Sequence, residues 1–195
     1  MKQELQQKLF DKYPKIFQKR NLSMTQTCMY WGIETEDGWE RIIELLCEAL
    51  TYTYSTGMSL DSEEKEKYKV DFLNIDSPQV IATQVKSKFG TLRFYYRLEF
   101  DEKLIEINKS GKYPGSQRII DCYVDYIDGI VHMAEVLSSY TCEVSGEPGE
   151  LCVKNGWYKT LCPEQTRAQG YITIKEQKKQ LEEKERIKNE LDSNS

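Results

Sequence analysis

Histidine is almost missing from this chain: its 195 residues contain one, His132. Any nucleophilic pair of the Cys-His type, or a Ser-His-Asp constellation, depends on that single side chain, and no Asp, Ser or Cys stands at a motif spacing from it. Long apolar runs are missing as well. No stretch approaches the roughly 18 residues of a membrane span, and the opening Met1-Lys-Gln-Glu-Leu-Gln-Gln-Lys8 lacks the apolar core of a signal peptide. These absences predict no membrane association and a cytoplasmic location, where the six cysteines are thiols or metal ligands before they are disulfides. There is no glycine-rich phosphate loop, because Gly111-Lys112 has no upstream glycine at P-loop spacing. Charge of one sign is scarce too. A net charge of −5 argues against a surface that grips nucleic acid throughout and is too small for a mimic of DNA.

What the chain does contain is helical and strand periodicity. Leu5, Leu9 and Phe10 predict a short N-terminal helix that ends at Tyr13-Pro14. Cys28, Met29, Tyr30 and Trp31 form an apolar patch expected to be buried. Asp37 and Glu40 stand in capping-box spacing before Trp39, Ile42, Ile43, Leu46, Cys47 and Leu50, which predicts a core helix over 37–54 with Cys47 as a small buried hydrophobe. Gly57 is expected to stop it, and 60–76 to be a charged connection. The β-rich runs 80–86 and 91–97, joined by Ser87-Lys-Phe-Gly90, predict a hairpin with Leu92, Phe94 and Tyr96 on one face and Arg93, Tyr95 and Arg97 on the other. Repeated turn signals make 98–117 an excursion. Ile120, Tyr123, Val124, Ile127, Ile130, Val131, Ala134 and Leu137 then trace a second long helix over 118–139, with His132 beside its apolar stripe, where a structural or surface role is the simpler reading.

Beyond that helix the segment 141–165 gathers three of the six cysteines, three of the eleven glycines and Trp157 into a turn-rich knuckle. Cys142-Glu-Val-Ser145-Gly146 has the spacing of a zinc half-site, with Ser in the second ligand position. Tyr158-Lys-Thr-Leu-Cys162-Pro-Glu-Gln165 has the look of the other half, with Gln in the last position. Hydroxyl and amide bind zinc poorly beside thiolate and imidazole. If zinc is present, Cys142, Cys152 and Cys162 are its ligands. The alternative is a knuckle without cofactor, held by Val144, Leu151, Val153, Trp157 and Leu161. The segment 166–195 is a charged helical extension with thin apolar content at Leu181, Ile187 and Leu191, a Glu182–Arg186 pair, and a disordered end from Asp192.

In these segments the chain resembles a family of uncharacterised proteins encoded by tailed phages and prophages. The family pattern C-x-x-C-G-x-P-G followed by G-W-x-x-T-L-C-x-x-H stands here as Cys142-Glu-Val-Ser145-Gly146-Glu-Pro148-Gly149 and Gly156-Trp157-Tyr-Lys-Thr160-Leu161-Cys162-Pro-Glu-Gln165. Further similar blocks are Tyr13-Pro14-Lys-Ile-Phe17, Met24-Thr-Gln-Thr-Cys28-Met-Tyr-Trp31-Gly32, Asp37-Gly38-Trp39 and Val85-Lys-Ser-Lys-Phe89-Gly90-Thr91-Leu92-Arg93-Phe94. The sequence departs from the pattern at Ser145, at Gln165, and at Tyr30, where the family often carries a second Cys. The resemblance brings no established activity. It implies the cytoplasm of a bacterial host.

The sequence therefore predicts one α+β domain over 1–165, in which two long helices cover one face of a small antiparallel sheet. The leading functional expectation is a non-enzymatic accessory protein that binds a host or phage macromolecule and antagonises a host defence system. The alternative is a nucleic-acid or nucleotide binder using Lys86, Lys88, Phe89, Arg93, Tyr95 and Arg97, where cations alternate with aromatic rings and no acid intervenes. A third is a thiol-dependent enzyme using Cys28 or a knuckle cysteine with His132.

Overall fold

The computed structural model describes residues 1–51, 77–111, 113 and 115–193. The expected helix stop at Gly57 and the charged connection 60–76 lie outside the described residues. Helix α1 (Gln3–Lys12) turns Leu9 and Phe10 inward and ends at Tyr13, before Pro14. The chain then folds back so that the rings of Phe10 and Phe17 meet edge to face at 5.1 Å. The following patch is not buried as a block. Thr27 accepts from the Met29 N–H and starts a single 3₁₀ turn over Cys28–Trp31, which sends Met29 into the core and leaves Cys28, Tyr30 and Trp31 exposed. A turn of three residues cannot aim four consecutive side chains in one direction.

Helix α2 (Glu40–Thr51) follows a 3₁₀ turn at Asp37–Trp39 and buries Ile43, Leu46, Cys47 and Leu50, the stripe its periodicity predicts. The capping box does not form: the Asp37 carboxylate accepts from Lys2, backbone and side chain, and so ties down the N-terminal segment. On the flank of α2, Glu44 accepts from Lys12 Nζ at 2.8 Å and from Arg41 at 2.6 Å, which pins α1 to α2.

Strands β2 (Gln79–Lys88) and β3 (Thr91–Glu99) pair antiparallel. The connection is two residues, not four, because Ser87 pairs with Leu92 and Lys88 with Thr91. Phe89 and Gly90 have φ of 54° and 79°, the double left-handed conformation of a tight hairpin turn. Val85, Leu92 and Phe94 face the core, while Lys86, Arg93 and Tyr95 face outward as the alternation requires. A short strand β1 (Ile33–Glu34) adds to β2 in parallel, so the sheet β1-β2-β3 is mixed where an antiparallel one was expected.

The excursion after β3 contains a helix, α3 (Glu102–Ser110). Asp101 caps its start by accepting from Lys103 N–H, and Gly111 ends it at a φ of 63°. It buries Leu104 with Tyr113, Ile119 and Tyr123 in a small second cluster. Helix α4 (Ser116–Ser138) carries Ile119, Tyr123, Ile127, Val131 and Ala134 on its buried side. Its last turns lie along β3, where Ser138 Oγ accepts from the Leu92 N–H at 2.8 Å and Glu135 accepts from the Phe94 N–H at 3.3 Å. Two donors of an edge strand are thereby satisfied by side chains of a helix.

The knuckle is a second sheet of order β5-β4-β6, built from β4 (Glu150–Lys154), β5 (Trp157–Leu161) and β6 (Ile172–Thr173), with α5 (Pro163–Gln169) between the last two. Because β6 pairs with Cys152 and Val153, the unit extends past the expected boundary at 165 to Thr173. It is bonded to the core at close range. Gly38 N–H donates to the Glu143 carbonyl at 2.8 Å, Trp39 Nε1–H to the Thr141 carbonyl at 2.8 Å, and Thr160 Oγ1–H to the Gly90 carbonyl at 2.6 Å. Helix α6 (Ile174–Ser193) exposes Leu181, Ile187 and Leu191. It runs one residue past the expected start of disorder at Asp192, and Arg186 pairs with Glu183 and Glu190 instead of Glu182.

Candidate functional site

The knuckle cysteines do not form a metal set. Cys162 precedes the first turn of α5. The Gln165 backbone N–H and the Ser145 hydroxyl, with Sγ at 3.6 Å, lower its thiol pKa, as does the neighbouring Cys142 thiol. Cys142, Ser145 and Cys162 thus converge as their spacing predicts. Gln165 contributes its backbone, while its side-chain oxygen accepts from Gln169. Cys152 points elsewhere, to Thr166 Oγ1 and the Glu150 carbonyl, each at 3.3 Å, and burial pushes its thiol pKa up. Among the described residues no three His, Cys, Asp or Glu groups are gathered so as to hold a metal ion. The donor set Cys142, Cys152 and Cys162 therefore does not fit zinc. These thiols are the packing of the knuckle, together with Leu161, Val144 and Tyr171. Leu151 and Trp157, assigned to that packing by the sequence, are 37% and 76% exposed.

Two of the concave surfaces formed by the described residues, both outside the knuckle core, carry an apolar or aromatic lining. The first is a groove of about 550 Å³ between α2 and α4. Ile42, Leu45 and Ala49 line one wall and Tyr126, Met133 and Leu137 the other, with Gly129 between them. A side chain at Gly129 would meet no atom within 4 Å, so the wall opens there. Leu45, Met133 and Leu137 are 46%, 58% and 47% exposed, and among the described lining residues the one charged member is Asp125. Leu137, placed on the core stripe by its periodicity, faces this groove.

The second is a cleft of about 600 Å³ where the turn of the β2–β3 hairpin meets the knuckle. Ser87, Lys88 and Phe89 come from the first hairpin and Trp157, Tyr158 and Lys159 from the second, Glu34 and Glu36 add two carboxylates, and Glu143 is the buried member of the lining. Glu143 is 2% exposed, yet carries a carboxylate. It accepts from Ser87 Oγ at 3.0 Å and from the Glu36 N–H at 3.3 Å. Burial raises its pKa, against the pull of Ser87 and Lys159. Lys159 Nζ itself bonds Glu36 at 3.1 Å. The cleft was invisible in the sequence, because its members come from five separated segments.

The six residues proposed from the sequence as an anion-binding set divide between the cleft and the outer face of the β1-β2-β3 sheet. Lys88 and Phe89 line the cleft, with the Lys88 ammonium 5.4 Å from the Phe89 ring. Lys86 and Arg93 sit opposite each other on the outer sheet face, and Lys86 Nζ lies 5.6 Å from the Tyr95 ring. Arg93 is paired with Glu135 at 3.2 Å and Arg97 with Glu99. Cys28 and His132 are both exposed, and among the described residues no hydrogen bond or ion pair joins His132 to a cysteine or carboxylate. In comparisons of the chain with known proteins, no family model, no curated protein and no solved structure matches it.

Proposed function

We propose that the protein is a non-enzymatic interaction protein whose α2–α4 groove receives an amphipathic helix, flanked by basic residues, from a bacterial host or phage protein. The observation that carries this reading is the clustering of half-exposed Leu45, Met133 and Leu137 around an apolar trough. Apolar side chains gathered at one surface raise the free energy of the isolated protein, and such patches mark sites that another molecule covers. A helix inserting its apolar face between two helices completes a three-helix layer with ordinary packing. Its basic flank is set by Asp125 on the groove wall and by exposed Asp121 one turn earlier on α4. The resemblance to phage-encoded proteins supplies the cellular setting, and interference with a host defence protein is the role that accords with it.

The test pairs native mass with binding by variants. Leu45→Glu and Met133→Glu place charge in the trough at exposed positions, so folding is expected to survive. The wild type should run as a monomer and bind one bacterial protein in stoichiometric amount. Both variants should lose that protein, and a synthetic helix from it should compete. A dimer dispersed by Met133→Glu would show that a second copy fills the groove, and partner binding untouched by both substitutions would remove the groove from the function.

A further inference from the structure

The Phe89–Gly90 turn is costly as built. Tight turns with two positive φ angles are filled by Asn, Asp or Gly, and the second hairpin of this molecule complies with Asn155-Gly156. The first hairpin places Phe at a φ of 54°, where an aromatic residue is strained, and leaves it 67% exposed, so its ring recovers little by packing. Trp157, on the facing hairpin, is 76% exposed and lines the same cleft. Two large rings held out of the core beside a cavity of about 600 Å³ are a stacking platform in a space of small-ligand size.

The charges select what can lie on it. The buried member of the lining is the Glu143 carboxylate, nearly closed from water, with Ser87 as its hydroxyl donor. Glu34 and the Lys159–Glu36 ion pair line the rest of the cleft, so Lys88 is the lining lysine that no salt bridge among the described residues engages. A small anion reaching inward meets the carboxylate. A flat, uncharged ring with N–H donors on its inner edge and an anionic group on its outer side satisfies both ends. Among nucleobases, guanine presents two adjacent donors that match the two oxygens of a carboxylate. Adenine and cytosine put an acceptor beside their amino group, where it would face a carboxylate lone pair.

We propose that this cleft binds a guanine base, carried by a nucleotide or by a single strand of nucleic acid, stacked on Trp157 or Phe89, with its N1–H and N2–H₂ edge on Glu143 and its phosphate at Lys88. Lys86 follows Lys88 on the same side of β2 and pairs across to Arg93, so the outer sheet face continues the path a strand would take. The site is separate from the α2–α4 groove and stands or falls independently of it.

The full chain is titrated by calorimetry with GMP, AMP, CMP and UMP, and with the pentaribonucleotides UUGUU and UUUUU at low and physiological salt. GMP and UUGUU are expected to bind, with the other probes about tenfold weaker or more. Of Trp157→Ala and Phe89→Ala, both at exposed positions, the one that removes the stacking ring should weaken binding by about tenfold. Glu143→Gln should erase the preference for guanine. UUGUU binding tighter than GMP, falling steeply with salt and with Lys86→Ala, assigns the site to single strands, whereas GMP binding as tightly as UUGUU assigns it to nucleotides. No heat with any probe, equal binding of all four bases, or wild-type affinity in both aromatic variants overturns the proposal. If Glu143→Gln does not fold, the two aromatic variants and the base series still decide it.

Discussion

Replacing Glu44 by Gln should weaken the protein at neutral pH and leave it unchanged near pH 2. Glu44 receives one proton donor on each oxygen, Lys12 from α1 and Arg41 from its own helix, and these bonds bring its pKa from 4.5 down to about 2. A depressed carboxyl pKa stabilises the folded state at pH values above the unfolded value of 4.5, and the contribution drains away as pH falls toward about 2. Taken at face value the shift corresponds to an upper bound of about 3 kcal/mol. The Lys12 and Arg41 side chains are 48% and 65% exposed, so water and salt screen the interaction. About 1–2 kcal/mol is the reasonable loss for Glu44→Gln at pH 7. For a chain of this size that is a fall in Tm of about 2–8 °C. Urea melts of wild type and variant across pH 2 to 7 read the difference directly. A gap that stays constant over that range would show that the amide disturbs packing and that the ion pairs contribute nothing.

Other outcomes follow from single contacts. Ser138→Ala removes the acceptor of the buried Leu92 N–H and should cost about 1–3 kcal/mol in equilibrium unfolding, while Ser139→Ala at the exposed neighbouring turn costs little. Gly38→Ala would set a methyl 2.3 Å from the Cys142 carbonyl oxygen and 2.4 Å from the Gly146 nitrogen, so faster amide exchange at Glu143 and Gly146 should reveal a loosened knuckle. In native alkylation followed by mass spectrometry, exposed Cys28 and Cys122 should be labelled first. Cys47 should be labelled last, because burial strongly raises its thiol pKa.

Periodicity carried the parts of the fold that repeat. The α2 stripe of Ile43, Leu46, Cys47 and Leu50, the alternation of Leu92, Phe94 and Tyr96, and the buried series Ile127, Val131 and Ala134 were all legible, because each side chain answers to a fixed angular step along its own element. Helix α3 was hidden by the turn residues that follow it, although its Asp101 cap and the Leu104–Ile107 spacing were in plain view. Met29 and its exposed neighbours were misjudged because one 3₁₀ turn has too little length to show a period. Asp37 was given to a helix cap when a partner 35 residues away claims it. The same limit hid the cleft: Glu143 sits in an irregular turn, and Glu36, Ser87 and Lys159 reach it only after the two hairpins have docked.

The edge of β3 beside α4 bears on how the molecule can recruit anything. An open strand edge invites a foreign peptide, or another copy of the chain, to extend the sheet by one more row. Here the Leu92 and Phe94 amides, which would have templated such growth, already donate to Ser138 and Glu135. A newcomer would have to evict a helix before its first backbone bond could form. Recruitment by strand addition is closed along that stretch, which also guards the hairpin against ribbon-like aggregation.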